Sequence, residues 1–207
     1  MLRTSDLSTA IARMHAGIVP VREALNAADR VLGDGDTGMT VAQIVAAWQQ
    51  AAPELPADLG SALSMLGKAA RQASGSSLAS VVSIGLSAAG RALAGRDTVQ
   101  LAPVELADLM TKAAQAISER SGAAPGDKSL LDSLLVIRDA FQDADASGRG
   151  DLQRVALDAA QAALEAFRDK PSQLGRARVY GEQSAGHDDP GMLAVCLSLQ
   201  AASAQDE

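Results

Sequence analysis

A chain of 207 residues, 47% hydrophobic but only 2% aromatic, is long enough for one sizeable core and too apolar to be disordered. Apolar residues drawn mostly from Ala, Leu, Val and Ile suit closely packed helices better than strands, so the composition reads as all-α. A net charge of −7 with no basic run excludes a nucleic-acid partner, and the single cysteine, Cys196, excludes an internal disulfide.

Leu7, Ile11, Met14 and Ile18 fall at offsets 0, 4, 7 and 11, the stripe of an amphipathic helix. Val21, Leu25, Ala28 and Leu32 repeat it, with Pro20 suited to the first turn of that second helix. Val41, Ile44, Val45 and Trp48 mark a third. Further helices are expected over 58–73, 76–95, 103–120, 129–144, 150–169 and 190–203. Gly, Pro, Ser and Asp separate them, as at 51–57, 95–100, 121–128 and 145–149. The most lipid-like stretch, 78–94, contains Gly and Ser and is interrupted by Arg91, so it reads as a buried helix rather than a membrane span. Cys196, in the run MLAVCLSLQ, is expected to be a buried small hydrophobe. The N-terminus lacks the apolar region of a signal peptide, which makes the cytoplasm the expected location.

No linker or internal repeat divides the chain, so 1–207 is expected to be one domain. Its short connections predict antiparallel helical neighbours. Residues 170–189 differ, because they show no apolar period over a length that is usually functional or mobile in a compact domain. With 33–38, 73–77 and 121–128, they make four polar loops able to meet at one end of a bundle.

The segment GDGDTG at 33–38 satisfies G-x-G-x-x-G, but the dinucleotide turn needs a preceding strand, and 20–32 reads as helix. As a P-loop it fails at Met39, which replaces the phosphate-binding lysine. As an EF-hand starting at Asp34 it fails at Met39 and Val45, where Gly and Glu are required. What remains is Asp34 and Asp36 flanking Gly35, with Asp29 just upstream. One reading makes Asp36 a helix cap, Asp34 a turn residue and Asp29 an exposed helix residue. The other makes them a partial shell for one or two Mg²⁺ ions, completed by water and substrate phosphates. It also accounts for Asp29, whose charge near a helix C-terminus opposes the dipole. Spacing alone leaves both open.

LNAADRVLGDGDTGMT at 25–40 resembles the metal loop of the dihydroxyacetone kinase L subunits, the nucleotide-binding domain of that kinase family. PGDKSLLDSL at 125–134 and GRARVYGEQSAGHDDPG at 175–191 match the same family in the same order, and the last is the most specific. The resemblance implies an up-and-down, eight-helix antiparallel barrel with the nucleotide in the loops at one end. It implies Asp29, Asp34 and Asp36 as ligands of Mg²⁺, two ions being expected, with ADP or ATP as the nucleotide. Thr37, Gly38, Met39 and Thr40 fall where the family contacts phosphates, with main-chain N–H groups near Gly38 stabilising charge. Ala73 and Ser74 match a second contact, although Ser74 also suits an N-cap of the following helix. Ser121 and Leu130 align with contacts around the base. Arg176, Asp189, Pro190 and Gly191 match residues that close over the nucleotide.

The implied reaction is phosphoryl transfer to a small ketose held by a separate K-type subunit. The nucleotide is either exchangeable ATP or retained ADP, rephosphorylated by a phosphotransferase-system protein. The chain departs from the family pattern at Thr37, where His is usual, and at Gln72 and Ser76, which replace Gly and Pro. DGDTG is also similar to the fatty-acid kinase nucleotide domain, which lacks the GEQSAGHDDPG ending. A nucleotide-sensing protein that docks on a regulator is the reading from a different functional class.

Overall fold

The computed structural model describes residues 4–96, 101–148 and 150–204, so parts of the 95–100 and 145–149 separators lie outside the described residues. Among the described residues the chain is all-helical. The helices are α1 (Thr4–Ala16), α2 (Ile18–Leu32), α3 (Thr37–Ala51), α4 (Leu59–Ala73), α5 (Ser77–Ala92), α6 (Pro103–Ser121), α7 (Leu130–Ser147), α8 (Leu152–Arg168) and α9 (Pro190–Ser203). Short 3-10 turns cover Ala52–Glu54 and Ala177–Ser184.

Several of the helices follow from local rules. On α8 the buried residues are Val155, Ala156, Ala159, Ala160, Ala163 and Leu164, one continuous stripe facing the core. Asp58, Ser76, Asp151 and Asp189 each cap a helix by accepting a main-chain N–H with the side chain. Pro20 lies in the first turn of α2, as expected. Ile18 does not continue the α1 stripe. It opens α2 instead, because Gly17 breaks the helix between them. Helix α5 ends at Ala92, three residues short of the predicted limit.

Each helix from α2 to α9 packs on the next, and α9 returns to α2, closing an eight-helix up-and-down barrel. The additional helix α1 lies against α3, α9 and the turn at Ala52–Glu54, at the far end of the barrel. The core is built mainly from small side chains. Ala62, Ala70, Ala79, Ala107 and Ala160 are fully buried, as is Cys196 very nearly, at 5% exposure. A close seam joins α4 to α5, where a methyl group on Gly90 would come within 2.6 Å of the Gly60 carbonyl oxygen. Trp48 ties α3 to α4 by donating its indole N–H to the Leu66 carbonyl at 2.9 Å.

Alternating helix direction decides where the connections go. The links α2–α3, α4–α5, α6–α7 and α8–α9 all emerge at the same end, as the four polar loops require. The longest of them is not structureless, since it contains the 3-10 segment Ala177–Ser184. No helix among the described residues is long and apolar enough to cross a membrane.

Candidate functional site

At that end the four loops surround a cavity of about 470 Å³. The α2–α3 loop brings Asp29, Asp34 and Asp36 to it, and the α6–α7 loop across the ring brings Ala123, Ser129, Leu130 and Leu131. Val81 from α5 and Leu174 from the long loop add apolar surface. The cavity therefore has an acidic side and an apolar side.

The acidic side is organised by α2. Asp29 is only 6% exposed, yet its Oδ2 accepts the N–H groups of Asp36 at 2.9 Å and Thr37 at 3.1 Å. Asn26 Oδ1 accepts those of Gly38 at 2.8 Å and Met39 at 3.2 Å. Two side chains thus satisfy the four amides that the start of α3 leaves without an intrahelical partner. The approach is so close that a methyl on Gly38 would run into the Arg22 carbonyl. The penalty expected for Asp29 near the end of α2 is offset by the positive end of α3. The same contacts explain why Asp36, although at the N-cap position, makes no side-chain cap bond: the amides are already taken. Its carboxylate and that of Asp34 are left exposed at the cavity.

One carboxylate oxygen from each of Asp29, Asp34 and Asp36 lies within 4.8 Å of the others. Oxygens around Mg²⁺ sit at about 2.0–2.1 Å from the ion and hence roughly 3–4 Å from one another, so small side-chain rotations bring the trio into range. The donor set, all hard oxygen and incomplete as a cage, fits Mg²⁺ with phosphate or water completing the shell.

Of the other residues singled out in the sequence, Thr37, Thr40, Ser74, Ser121, Leu130, Arg176, Asp189, Pro190 and Gly191 line the cavity. Gly38, Met39 and Ala73 do not. Gly38 is packed onto α2, Met39 is 46% exposed on the outside, and Ala73 packs beside Ile44 and Ala79. The amides near Gly38, expected to face phosphates, are engaged by Asn26. Ser74 is not an N-cap. Ser76 caps α5 by accepting from Ala79, and Ser74 Oγ accepts the Ser76 N–H at 3.3 Å. Ser121 Oγ donates to the Ile117 carbonyl at 2.7 Å. Arg176 forms an ion pair with Asp34, joining the long loop to the acidic loop across the cavity mouth. Asp189 caps α9 by accepting the Met192 N–H at 2.8 Å. Burial pushes its carboxyl up to about 6, against the pull of the Met192 and Gly191 amides and the Lys128 ammonium.

Sequence reasoning missed Asn26, Lys128 and Asp132. Asp132 is 2% exposed and holds the α6–α7 loop by accepting the N–H groups of Gly126 at 2.6 Å and Ser129 at 2.9 Å. The available signal was the spacing of Ser129 and Asp132, which fits a capping box. Lys128 is buried without a carboxylate partner, an arrangement no sequence pattern announces.

Residues 31–204 match the family model described as DAK2 domain. The chain belongs to the DAK2 domain family. This is the L-subunit domain of dihydroxyacetone kinases, so the family resemblance and the helical barrel agree. The DAK2 chain is 30% identical over 200 residues to the human protein named triokinase/FMN cyclase, covering 94% of this chain and 34% of that one. It is 32% identical over 177 residues to an L-erythrulose 1-kinase of Mycolicibacterium smegmatis, covering 84% and 30%. Its fold matches the dihydroxyacetone kinase of C. freundii in complex with AMP-PNP and Mg²⁺ at a TM-score of 0.69. The two chains share 24% sequence identity, over 96% of this chain and 32% of that one. This DAK2 chain therefore spans about a third of the length of the relatives it matches.

Proposed function

We propose that this DAK2 domain holds a Mg²⁺-bound adenine nucleotide in the cavity and forms the nucleotide half of a phosphotransferase acting on a small ketose. The observation that carries this reading is the pairing of three clustered aspartates with an apolar pocket in one cavity. A nucleotide has the same polarity, with charged phosphates at one end and a flat, weakly polar base at the other. Asp29, Asp34 and Asp36 hold Mg²⁺, which when bound neutralises phosphate charge and orients the transferable phosphoryl group. The hydroxyls of Thr37 and Thr40 donate to phosphate oxygens, and Arg176 supplies the cationic contact from the long loop. Thr37 does so without the charge that a histidine could bring. With the first α3 amides satisfied from α2, side chains and metal rather than the helix N-terminus do most of this work. Leu130, Ser121 and the neighbouring apolar residues receive the base, while Ser74 and Asp189–Gly191 border the nucleotide.

The acceptor half belongs to a K-type partner. The chain covers a third of relatives named as kinases, which leaves their remaining length to bind the ketose. The relatives' names point to three- and four-carbon ketoses as acceptors. Retained ADP in the purified protein, seen by native mass spectrometry, would mark the nucleotide as a cofactor recharged by a phosphotransferase-system protein. Its absence would mark exchangeable ATP. The test of the site is thermal. Nucleotide at about 100 times Kd stabilises by roughly 2.7 kcal/mol, or about 5–10 °C for a domain of this size. Asp36→Ala is expected to abolish that shift in Mg²⁺, and a shift equal to wild type overturns the assignment.

A further inference from the structure

We infer that Lys128 is a positioning residue, a buried ammonium that fixes the long loop over the nucleotide cavity. Its Nζ donates to the carbonyl oxygens of Arg168 at 2.8 Å, Lys170 at 2.7 Å and Ser184 at 3.0 Å. An ammonium has three N–H donors, and here each has one carbonyl acceptor. The residue is 1% exposed, so none of those acceptors can be replaced by solvent. Lys128 also has φ +61°, a left-handed backbone that side chains rarely adopt and that persists only where surrounding contacts determine it.

The three carbonyls place the role. Arg168 is the last residue of α8, Lys170 begins the long loop, and Ser184 ends its 3-10 segment. One ammonium from the α6–α7 loop therefore gathers both ends of the segment that carries Arg176. Neighbouring bonds tighten the same knot. The Ser172 N–H donates to Ser184 Oγ at 2.7 Å, and Ser184 Oγ donates to the Gly181 carbonyl at 2.6 Å. Gly186 N–H donates to the Arg168 carbonyl at 2.9 Å, and Gln173 N–H to the Asp127 carbonyl at 3.0 Å. Two of the four cavity loops are thus built around one charge. Lys128 does not line the cavity, and its effect on binding passes through Arg176, Asp189 and Leu130.

The binding arm of the test rests on the nucleotide reading; the loop arm does not. Trypsin reports on the loop through Arg176 and Arg178, both exposed in the segment that Lys128 closes. Lys128→Met should speed cleavage at these two sites by about tenfold or more, with helix content by circular dichroism unchanged. Affinity for Mg²⁺–ADP should fall by a similar factor. Ser184→Ala, a milder change in the same knot, should shift both readouts in the same direction by less, and it decides the matter if Lys128→Met does not fold. Wild-type resistance at Arg176 and Arg178 in a folded Lys128→Met protein would overturn the proposal. So would cleavage spread evenly over the helices, which marks a general structural role. Wild-type protein that binds no nucleotide while its loop responds as described would defeat the nucleotide reading and leave the positioning role standing.

Discussion

Asp189 shows how a single residue couples the site to pH. Its carboxyl is raised from 3.8 to about 6 by burial, so the folded protein holds this proton more tightly than the unfolded chain does. The associated stability is present in full below the unfolded value near pH 4 and is lost as pH rises through about 6. A shift of about two units corresponds to roughly 3 kcal/mol, of which about 1–2 kcal/mol should survive screening by water in the cavity. Asp189→Asn keeps a competent N-cap for α9 but removes the titration. Denaturant melts at pH 4 and pH 7 should therefore show the wild type gaining about 1–2 kcal/mol over the variant at the lower pH; parallel curves would contradict this. The residue was marked in the sequence by its place in the GEQSAGHDDPG motif, while its capping of α9 came from the structure. The shifted titration was not, because it depends on which loops fold over Asp189.

At the scale of elements, α4 and α5 depend on the absence of side chains. A methyl at Gly90 meets the Gly60 carbonyl at 2.6 Å, and backbone cannot move aside as a flexible side chain can. Gly90→Ala gains about 1 kcal/mol of helix propensity, but against backbone the overpacking cost lies near the top of the usual range of about 1–3 kcal/mol. A net loss of about 1–2 kcal/mol should lower Tm by about 2–8 °C. Gly75→Ala, which meets nothing within 4 Å, should leave Tm within about a degree. A Gly90→Ala protein as stable as wild type would show that the helices can separate at little cost. Helix positions were readable because apolar spacing and caps are local. Asn26 was not readable as a capping residue for α3, because it lies 12 residues from Gly38, whose amide it satisfies. The loop at 170–189 was visible as a break in periodicity. Its 3-10 segment, closed by Lys128, was not visible.

For the whole molecule, the decisive fact is that an up-and-down barrel delivers every second connection to the same end. That geometry gathers residues as distant in sequence as Asp34 and Arg176. Alone, the domain should bind nucleotide but transfer no phosphoryl group to dihydroxyacetone or a four-carbon ketose; with a K-type partner, transfer should appear in a coupled assay. Nucleotide binding without transfer for any such partner would favour a sensing role instead.

By itself the sequence determined that this chain is helical, where most helices run, and where its polar loops fall. Each follows from spacing, caps and motif order, which act over a few residues. It also marked Asp29, Asp34 and Asp36 as a cluster with two readings. Only the tertiary structure decided that Asn26 and Asp29 occupy the α3 amides, leaving Asp34 and Asp36 at the cavity with their carboxylates free of capping bonds. Only the fold could put Lys128 within reach of carbonyls 40, 42 and 56 residues away. Hydrogen bonds over such separations depend on how the barrel closes, and that closure is a property of all its helices together.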